Sequence, residues 1–333
     1  MPYFQSKLKT ADNVYKELFV RHLNNPILAA EDWPYPINTT FNPAATYFQN
    51  KVLLLARVED RRGFSHFTKA VSEKGVVNWM VDTQPTFESD PKNYPEEAWG
   101  IEDPRITRLD ELGAWGITYT AYSKAGPMVS LALTKDFQEF KRMGCILPPD
   151  DKDAALFPRR FNGKWVLIHR PMLTSAIPGA HIWISDSEDL KTWSNHRILI
   201  QARAGAWWDA SKVGLSAQPM ETSEGWLILY HGVKLTAAGA IYRLGLALLD
   251  IDDPFHVLRR SDEWIFGPRE YYEKEGDVGG AVFPCGWILD QETGKVRMYY
   301  GAADSCIALA TANLSELLEY IKSCPEVQQD MSY

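Results

Sequence analysis

Residues Gly163–Pro171 read GKWVLIHRP: a small turn residue, a short apolar run and a basic end. The phrase returns as Asn50–Val58 (NKVLLLARV), Ala114–Ser123 (AWGITYTAYS), Gly225–Val233 (GWLILYHGV) and Gly294–Ala302 (GKVRMYYGA). An apolar run of this length bounded by turn signals reads as a strand. A second strand follows each one, at Ser65–Ala70, Met128–Leu133, His181–Ser185, Tyr242–Leu249 and Cys306–Ala310. Several second strands lead into similar tails: TKDFQEF at 134–140, SDSEDLKTW at 185–193 and a looser SEKGVVNW at 72–79. Five such units, spaced by about 50 to 70 residues, predict an all-β, five-bladed β-propeller. One blade cannot cover both faces of its sheet, whereas five packed radially cover one another. The alternative left open by strand count is a two-sheet sandwich.

Outside the repeats, residues 1–24 are expected to form an N-terminal arm with a short amphipathic helix near Asp12–Leu23. Asn25–Phe41, with three prolines, reads as an extended loop. Leu314–Lys322, LSELLEYIK, has apolar residues at helical spacing and predicts a C-terminal helix. No linker, charge run or low-complexity stretch interrupts the chain, so residues 1–333 are expected to form a single domain.

The 333 residues are 45% apolar, enough for a large core, and carry a formal charge of −8. That balance argues against nucleic acid as a partner, since tracking phosphates requires a basic field. Twelve Trp and fifteen Tyr supply flat amphipathic rings of the kind that suit sugar faces. The four cysteines, Cys145, Cys285, Cys306 and Cys324, lack metal-ligand spacing and read as reduced thiols. No apolar run reaches membrane-spanning length, and the first residues lack a signal-peptide core. A soluble, cytoplasmic protein with no membrane partner is expected.

In a propeller, strand ends from all blades meet around one axis. The polar ends of the repeated strands would then converge: Arg57, Tyr122, His169 with Arg170, His231, and Asp304 just after YYGA. Trp99–Arg105, WGIEDPR, adds Asp103 directly before a proline, which should hold it extended at a strand mouth. Arg105 could pair with a neighbouring acid or hold an anion. Lys212 and Tyr242 complete the set. An inverting glycosidase needs two carboxylates, one to donate a proton and one to activate water. Phosphorolysis needs only the acid, because phosphate is already a nucleophile, and it needs cations to hold that phosphate. One placed acid facing several cations fits phosphorolysis better. Each residue also has a purely structural reading. Arg57 could pair with Glu59 or Asp60, His169 and His231 could be core histidines, and Lys212 could be solvated. Tyr242 and Phe283 could be core aromatics, and Asp304 a turn cap.

The ordered motifs NPIL, FNPA (41–44), RVED (57–60), GIEDPRIT (100–107) and DAALFP (153–158) stand beside GKWVLIHRP. After them come WWDASKVG (207–214), ETSEGWLILYHGV (221–233), YRLGLALLD (242–250), VFPCG (282–286) and YYGAAD (299–304). In these the chain resembles the β-mannoside phosphorylases and mannosidases of glycoside hydrolase family 130, from about Asn25 to Ile321. The resemblance implies a five-bladed propeller with an axial active site. It implies Asp103 as general acid, its proton relayed by the mannose 3-hydroxyl, while phosphate attacks the opposite face to give α-mannose 1-phosphate. It implies that Arg57, Arg170, Lys212 and Tyr242 hold phosphate with His231 nearby, and that Asn42, Asp304 and Phe283 contact mannose. Glu102, a substrate-site candidate, stands where some members have an aromatic residue and would alter either the acceptor side or the pKa of the acid, and His169 is a further substrate-site candidate. Pro43 stands where a small residue often follows the family's asparagine. Lys152 and Asp153 stand where other members have Arg and Asn. No metal or organic cofactor is implied, only inorganic phosphate as co-substrate; acceptor choice could depend on loops and on contacts in a homo-oligomer. The competing expectations are a β-mannosidase of the same family, a related five-bladed furanosidase and a non-catalytic glycan-binding propeller.

Overall fold

Leu53 and Leu55 pack to one side of their strand, and Val52, Leu54 and Ala56 to the other. Successive residues of a strand face opposite ways. Here both faces meet protein, so the segment reads as an unbroken apolar run. In this computed structural model, which describes residues 17–172, 179–237 and 239–327, the same holds in every repeat.

Five antiparallel sheets form the blades of a propeller. From the axis outward, the first contains Thr39–Phe48, Lys51–Glu59, Ser65–Ser72 and Met80–Val81. The second contains Ile101–Leu109, Ala114–Ser123, Gly126–Thr134 and Phe140–Cys145. The third contains Asp151–Leu156, Trp165–Pro171, Ile182–Ser187 and Ser194–Ile200. In the fourth, Lys212–Leu215 and Met220–Thr222 share the inner position beside Gly225–Thr236, followed by Gly239–Leu249 and Val257–Arg260. The fifth contains Val282–Asp290, Lys295–Ala302, Cys306–Asn313 and, outermost, Val20–Arg21.

Five apolar clusters lie at the five blade-to-blade interfaces. Leu53 and Leu55 meet Ile106 and Ile117 between blades one and two. Leu131 meets Leu156 and Leu167 between two and three. Val166 and Ile168 meet Val213 and Ile228 between three and four. Leu229 and Leu246 meet Trp287 and Met298 between four and five, and Tyr299 and Leu309 meet Val52 and Leu54 where the ring closes. Burying one such leucine contributes about 2 kcal/mol. The C-terminal helix, Leu314–Ser323, buries Leu317, Leu318 and Ile321 against the cluster between blades four and five. No described helix is long and apolar enough to cross a membrane.

Two expectations need correction. The amphipathic helix placed near Asp12–Leu23 is not present in its described part, and residues 12–16 lie outside the described chain. Instead Val20 and Arg21 form a strand paired with Thr311 and Ala310. The outer edge of blade five would otherwise leave its backbone N–H and C=O groups unpaired, and the N-terminal segment fills that position. Second, the repeated apolar phrase is the second strand of each blade, not the innermost. Each blade has a further strand toward the axis, carrying the segments FNPA, EDPR, KDAA, KVG and FPCG.

Candidate active site

The inner strands of blades one to three each carry a bulge at the same place. Their registers slip between Phe41 and Ala44, between Glu102 and Arg105, and between Lys152 and Ala155. Within each slip one residue has left-handed backbone: Asn42 (φ 46°), Asp103 (φ 51°) and Asp153 (φ 54°). Asn and Asp are the non-glycine residues that tolerate this conformation best. A bulge bends its strand and re-aims the extra side chain. Asp103 is therefore not extended, as its position before Pro104 suggested. The bulge, not the proline, sets where its carboxyl points.

Asp103 is buried, and its Oδ1 accepts hydrogen bonds from Asn42 Nδ2 (2.9 Å) and Arg57 Nη1 (3.0 Å). Its Oδ2 accepts none among the described residues. Arg57 also donates to Glu102 Oε1 (3.1 Å) and Ser65 Oγ (3.0 Å). Lys152 Nζ lies 4.0 Å from Glu102 Oε2. Burial pushes the pKa of Asp103 up, but Arg57, Lys152, Arg105 and the Asn42 amide together hold it below its ordinary value. Gly301 supports Asn42 from beneath, since a Cβ there would lie 2.0 Å from Asn42 Oδ1.

Asp304, also left-handed (φ 51°), behaves in the opposite way. Burial, together with repulsion from Asp103 and Glu102, outweighs Arg57 and Lys152 and raises its pKa to about 7. A carboxyl raised on folding binds protons that the unfolded chain releases. Stability should therefore fall as pH rises from about 4, the unfolded value, toward 7. Asp304→Asn removes that dependence. The variant should gain thermal stability over wild type at pH 8 and lose the gain below about pH 4. Melting curves across that range check it, and a gain independent of pH would refute it.

Beyond Asp103 lies a second charge cluster, built on Arg105 and Asp153. Arg105 is only 1% exposed and donates to Ser216 O (2.9 Å), Leu215 O (3.0 Å), Asp103 O (3.0 Å) and Asp153 Oδ1 (3.3 Å). It thus ties blade two to blades three and four. Asp153 Oδ2 accepts from Arg170 Nε (2.7 Å) and lies 3.5 Å from His231 Nε2. Burial opposes its ionisation, yet the permanent cations Arg170, Arg105 and Lys152 hold its pKa far below the ordinary value. His231 is itself lowered to about 3, chiefly by burial, so its imidazole is neutral. Gly214 is required beside this pair, since a Cβ would lie 2.5 Å from Asp153 Oδ2 and 2.6 Å from the His231 ring. Phe283 lies against the His231 ring (4.7 Å between centroids), with Tyr242 6.0 Å from it on another side. Lys212 Nζ lies 5.4 Å from the Tyr242 ring centre. Lys212 is half-buried and makes no ion pair among the described residues.

Asn42, Arg57, Glu102 and Asp103 thus meet directly, and Asp304 is coupled to them by charge. Arg170, His231, Tyr242, Lys212 and Phe283 form a neighbouring cluster joined to Asp103 through Arg105 and Asp153. His169 does not join either group. Neighbouring strand residues face opposite ways, so Arg170 turns to the axis while His169 turns into blade three. There its Nδ1 bonds Asp151 Oδ2 (2.6 Å) and its Nε2 bonds Ser185 Oγ (2.7 Å). Both ring nitrogens are thus engaged within the blade. Tyr122 also stays apart, on the open face against Trp99 (5.3 Å). Asp153 is the residue whose position the repeated phrases could have located, because KDAA at 152–155 falls where NPA and EDPR fall in the first two blades.

The family profile described as beta-1,4-mannooligosaccharide phosphorylase matches residues 18–323. The chain is 33% identical over 315 residues to the beta-1,4-mannooligosaccharide phosphorylase of Ruminococcus albus, covering 92% of each chain. It is 39% identical over 263 residues to the beta-1,2-mannobiose phosphorylase of Listeria innocua, covering 78% of this chain and 71% of that one. A solved structure of beta-1,2-mannobiose phosphorylase from Listeria innocua, in complex with beta-1,2-mannobiose, superposes with a TM-score of 0.82 at 29% identity, over 91% of this chain and 99% of that one.

Proposed function

The chain belongs to glycoside hydrolase family 130, and on that premise we propose that it is an inverting phosphorylase of β-1,2- or β-1,4-linked mannosides. Inorganic phosphate is the co-substrate and α-mannose 1-phosphate the product. The observation that carries this reading is the placement of Asp103, one oxygen clamped by Arg57 and Asn42, the other left for substrate, beside a separate cluster holding Arg170, Lys212 and Tyr242.

Asp103 acts as general acid. Its proton passes to the mannose 3-hydroxyl, whose own proton passes to the glycosidic oxygen as the C1–O bond breaks. Phosphate, held by Arg57, Arg170, Lys212 and Tyr242 with neutral His231 beside it, forms the new bond to C1 from the opposite face. Asp103 is left ionised and the shortened sugar departs as an alcohol. Asn42, Asp304 and Phe283 contact the mannose, and Glu102 faces the acceptor. The depressed pKa of Asp103 fits an ordered sequence of events. The surrounding cations keep it ionised until a phosphate dianion offsets their charge and lets the carboxyl hold a proton. The reaction is placed in the cytoplasm and run without metal or organic cofactor. A homo-oligomer is compatible with it, subunit contacts then helping to shape the acceptor site.

The test uses β-1,2- and β-1,4-mannobiose with and without phosphate, following α-mannose 1-phosphate by NMR. The expected result is cleavage of one of the two that requires phosphate. Equal release of free mannose in phosphate-free buffer would instead make the protein a hydrolase.

A further inference from the structure

Blade four carries a groove of about 960 Å³ that the reaction above does not use, lined by Ala204, Trp207, Trp208, Asp262, Glu263 and Trp264. Its position follows from strand direction. Lys212 opens the inner strand of the blade, and Trp207 and Trp208 lie just before it. Val257–Arg260, three strands outward, runs antiparallel to that strand and delivers Asp262–Trp264 to the same face. Trp208 Nε1 donates to Asp262 O (2.8 Å) and joins the two walls. The groove therefore opens on the face where Asp103 and Lys212 begin their strands. Trp207 is five residues from Lys212, so even a fully extended chain would separate them by no more than about 18 Å.

The chemistry of the walls is that of a neutral polyol site. Arg203 packs on the Trp207 ring (3.9 Å to its centre) and stiffens it, yet Trp207 remains 43% exposed. Asp262 is paired with Arg203 (3.1 Å), whereas the Glu263 carboxylate has no cation partner among the described residues. Aromatic faces accept the C–H side of a sugar ring, and carboxylates accept its hydroxyls. Among the lining residues two are acidic and none is basic, which disfavours an anionic ligand.

We propose that this groove binds the acceptor-side sugars of a manno-oligosaccharide whose terminal mannose is held at Asp103, with the ring of Trp207 as the stacking platform and Glu263 as hydroxyl acceptor. The proposal rests on the reading of the chain as a mannoside phosphorylase. It makes the protein selective for chain length through residues that touch neither phosphate nor the cleaved bond.

The test compares wild type, Trp207→Ala and Glu263→Gln on β-mannosyl oligosaccharides of two to six units. In wild type, kcat/KM should rise with length. In Trp207→Ala it should be unchanged on the disaccharide and fall about ten-fold on the hexasaccharide, and Glu263→Gln should fall less in the same pattern. A flat length profile in wild type, or equal losses on both substrates, overturns the proposal. A second measurement separates it from the reaction itself. Hexasaccharide binding by calorimetry without phosphate, in Asp103→Asn with and without Trp207→Ala, should weaken when the ring is removed. That difference would uphold the groove whatever the reaction, and if the wild type then performed no phosphorolysis only the reaction would be refuted; the absence of the difference would refute the groove.

Discussion

Asp103→Asn is expected to lower phosphorolytic turnover by about a thousand-fold, within the range a general acid supplies, while leaving the melting temperature close to wild type. The amide is isosteric and can still accept from Arg57 and keep its contact with Asn42, so the packing around the bulge survives. What it cannot do is release a proton to the mannose hydroxyl. The defect should therefore depend on the leaving group. An aryl β-mannoside, whose phenolate departs without protonation, should recover much of the lost rate. Turnover on mannobiose and on the aryl substrate, measured beside a melting curve, checks all three points. Activity near wild type on mannobiose would remove Asp103 from the role of acid. An equal loss on both substrates would point to a positioning role instead.

Arg105→Met should produce the largest loss of stability of any single change near the axis. The guanidinium is buried and satisfies three backbone carbonyls and one carboxylate from three blades. Removing it leaves Asp153 short of a partner and the carbonyls unpaired. Breaking a buried charge network in this way costs about 3–5 kcal/mol. For a chain of this size that corresponds to a drop of about 4–7 °C in Tm. Arg62, which pairs with Asp60 on an exposed hairpin, is the control. Arg62→Met should leave Tm where it was, because exposed ion pairs contribute little. Calorimetric melting of both variants decides the matter. Equal Tm values for the two would show that Arg105 does not tie the blades together.

The distance between these two arginines in energetic terms was not legible in their local sequence. Both lie near acids, and a chain read residue by residue offers the same pairing to each. The five blades were legible because each second strand is buried on two faces, which forces an apolar run that recurs in every repeat. The inner strands were not, because their outward ends carry the site. Polar residues and prolines in FNPA, EDPR and KDAA interrupt the apolar pattern that identifies a strand. The N-terminal strand was misread as helix for a related reason. Two residues added to a sheet edge have no periodicity of their own, and their conformation comes from the edge they complete.

Local chemistry alone was sufficient to predict the ring of five sheets and the terminal helix, and to single out Asp103 as one placed acid among several cations. These follow from burial and from charge type, which side chains carry wherever they are placed. Only the folded chain decided which groups those cations serve. Arg57 pairs with Asp103, Glu102 and, at 3.9 Å, Glu59; Arg170 and Arg105 pair with Asp153, His169 bonds within its own blade, and Lys212 pairs with no acid among the described residues. Those assignments turn on three bulges and on strand parity, and a shift of one residue in any inner strand would exchange them.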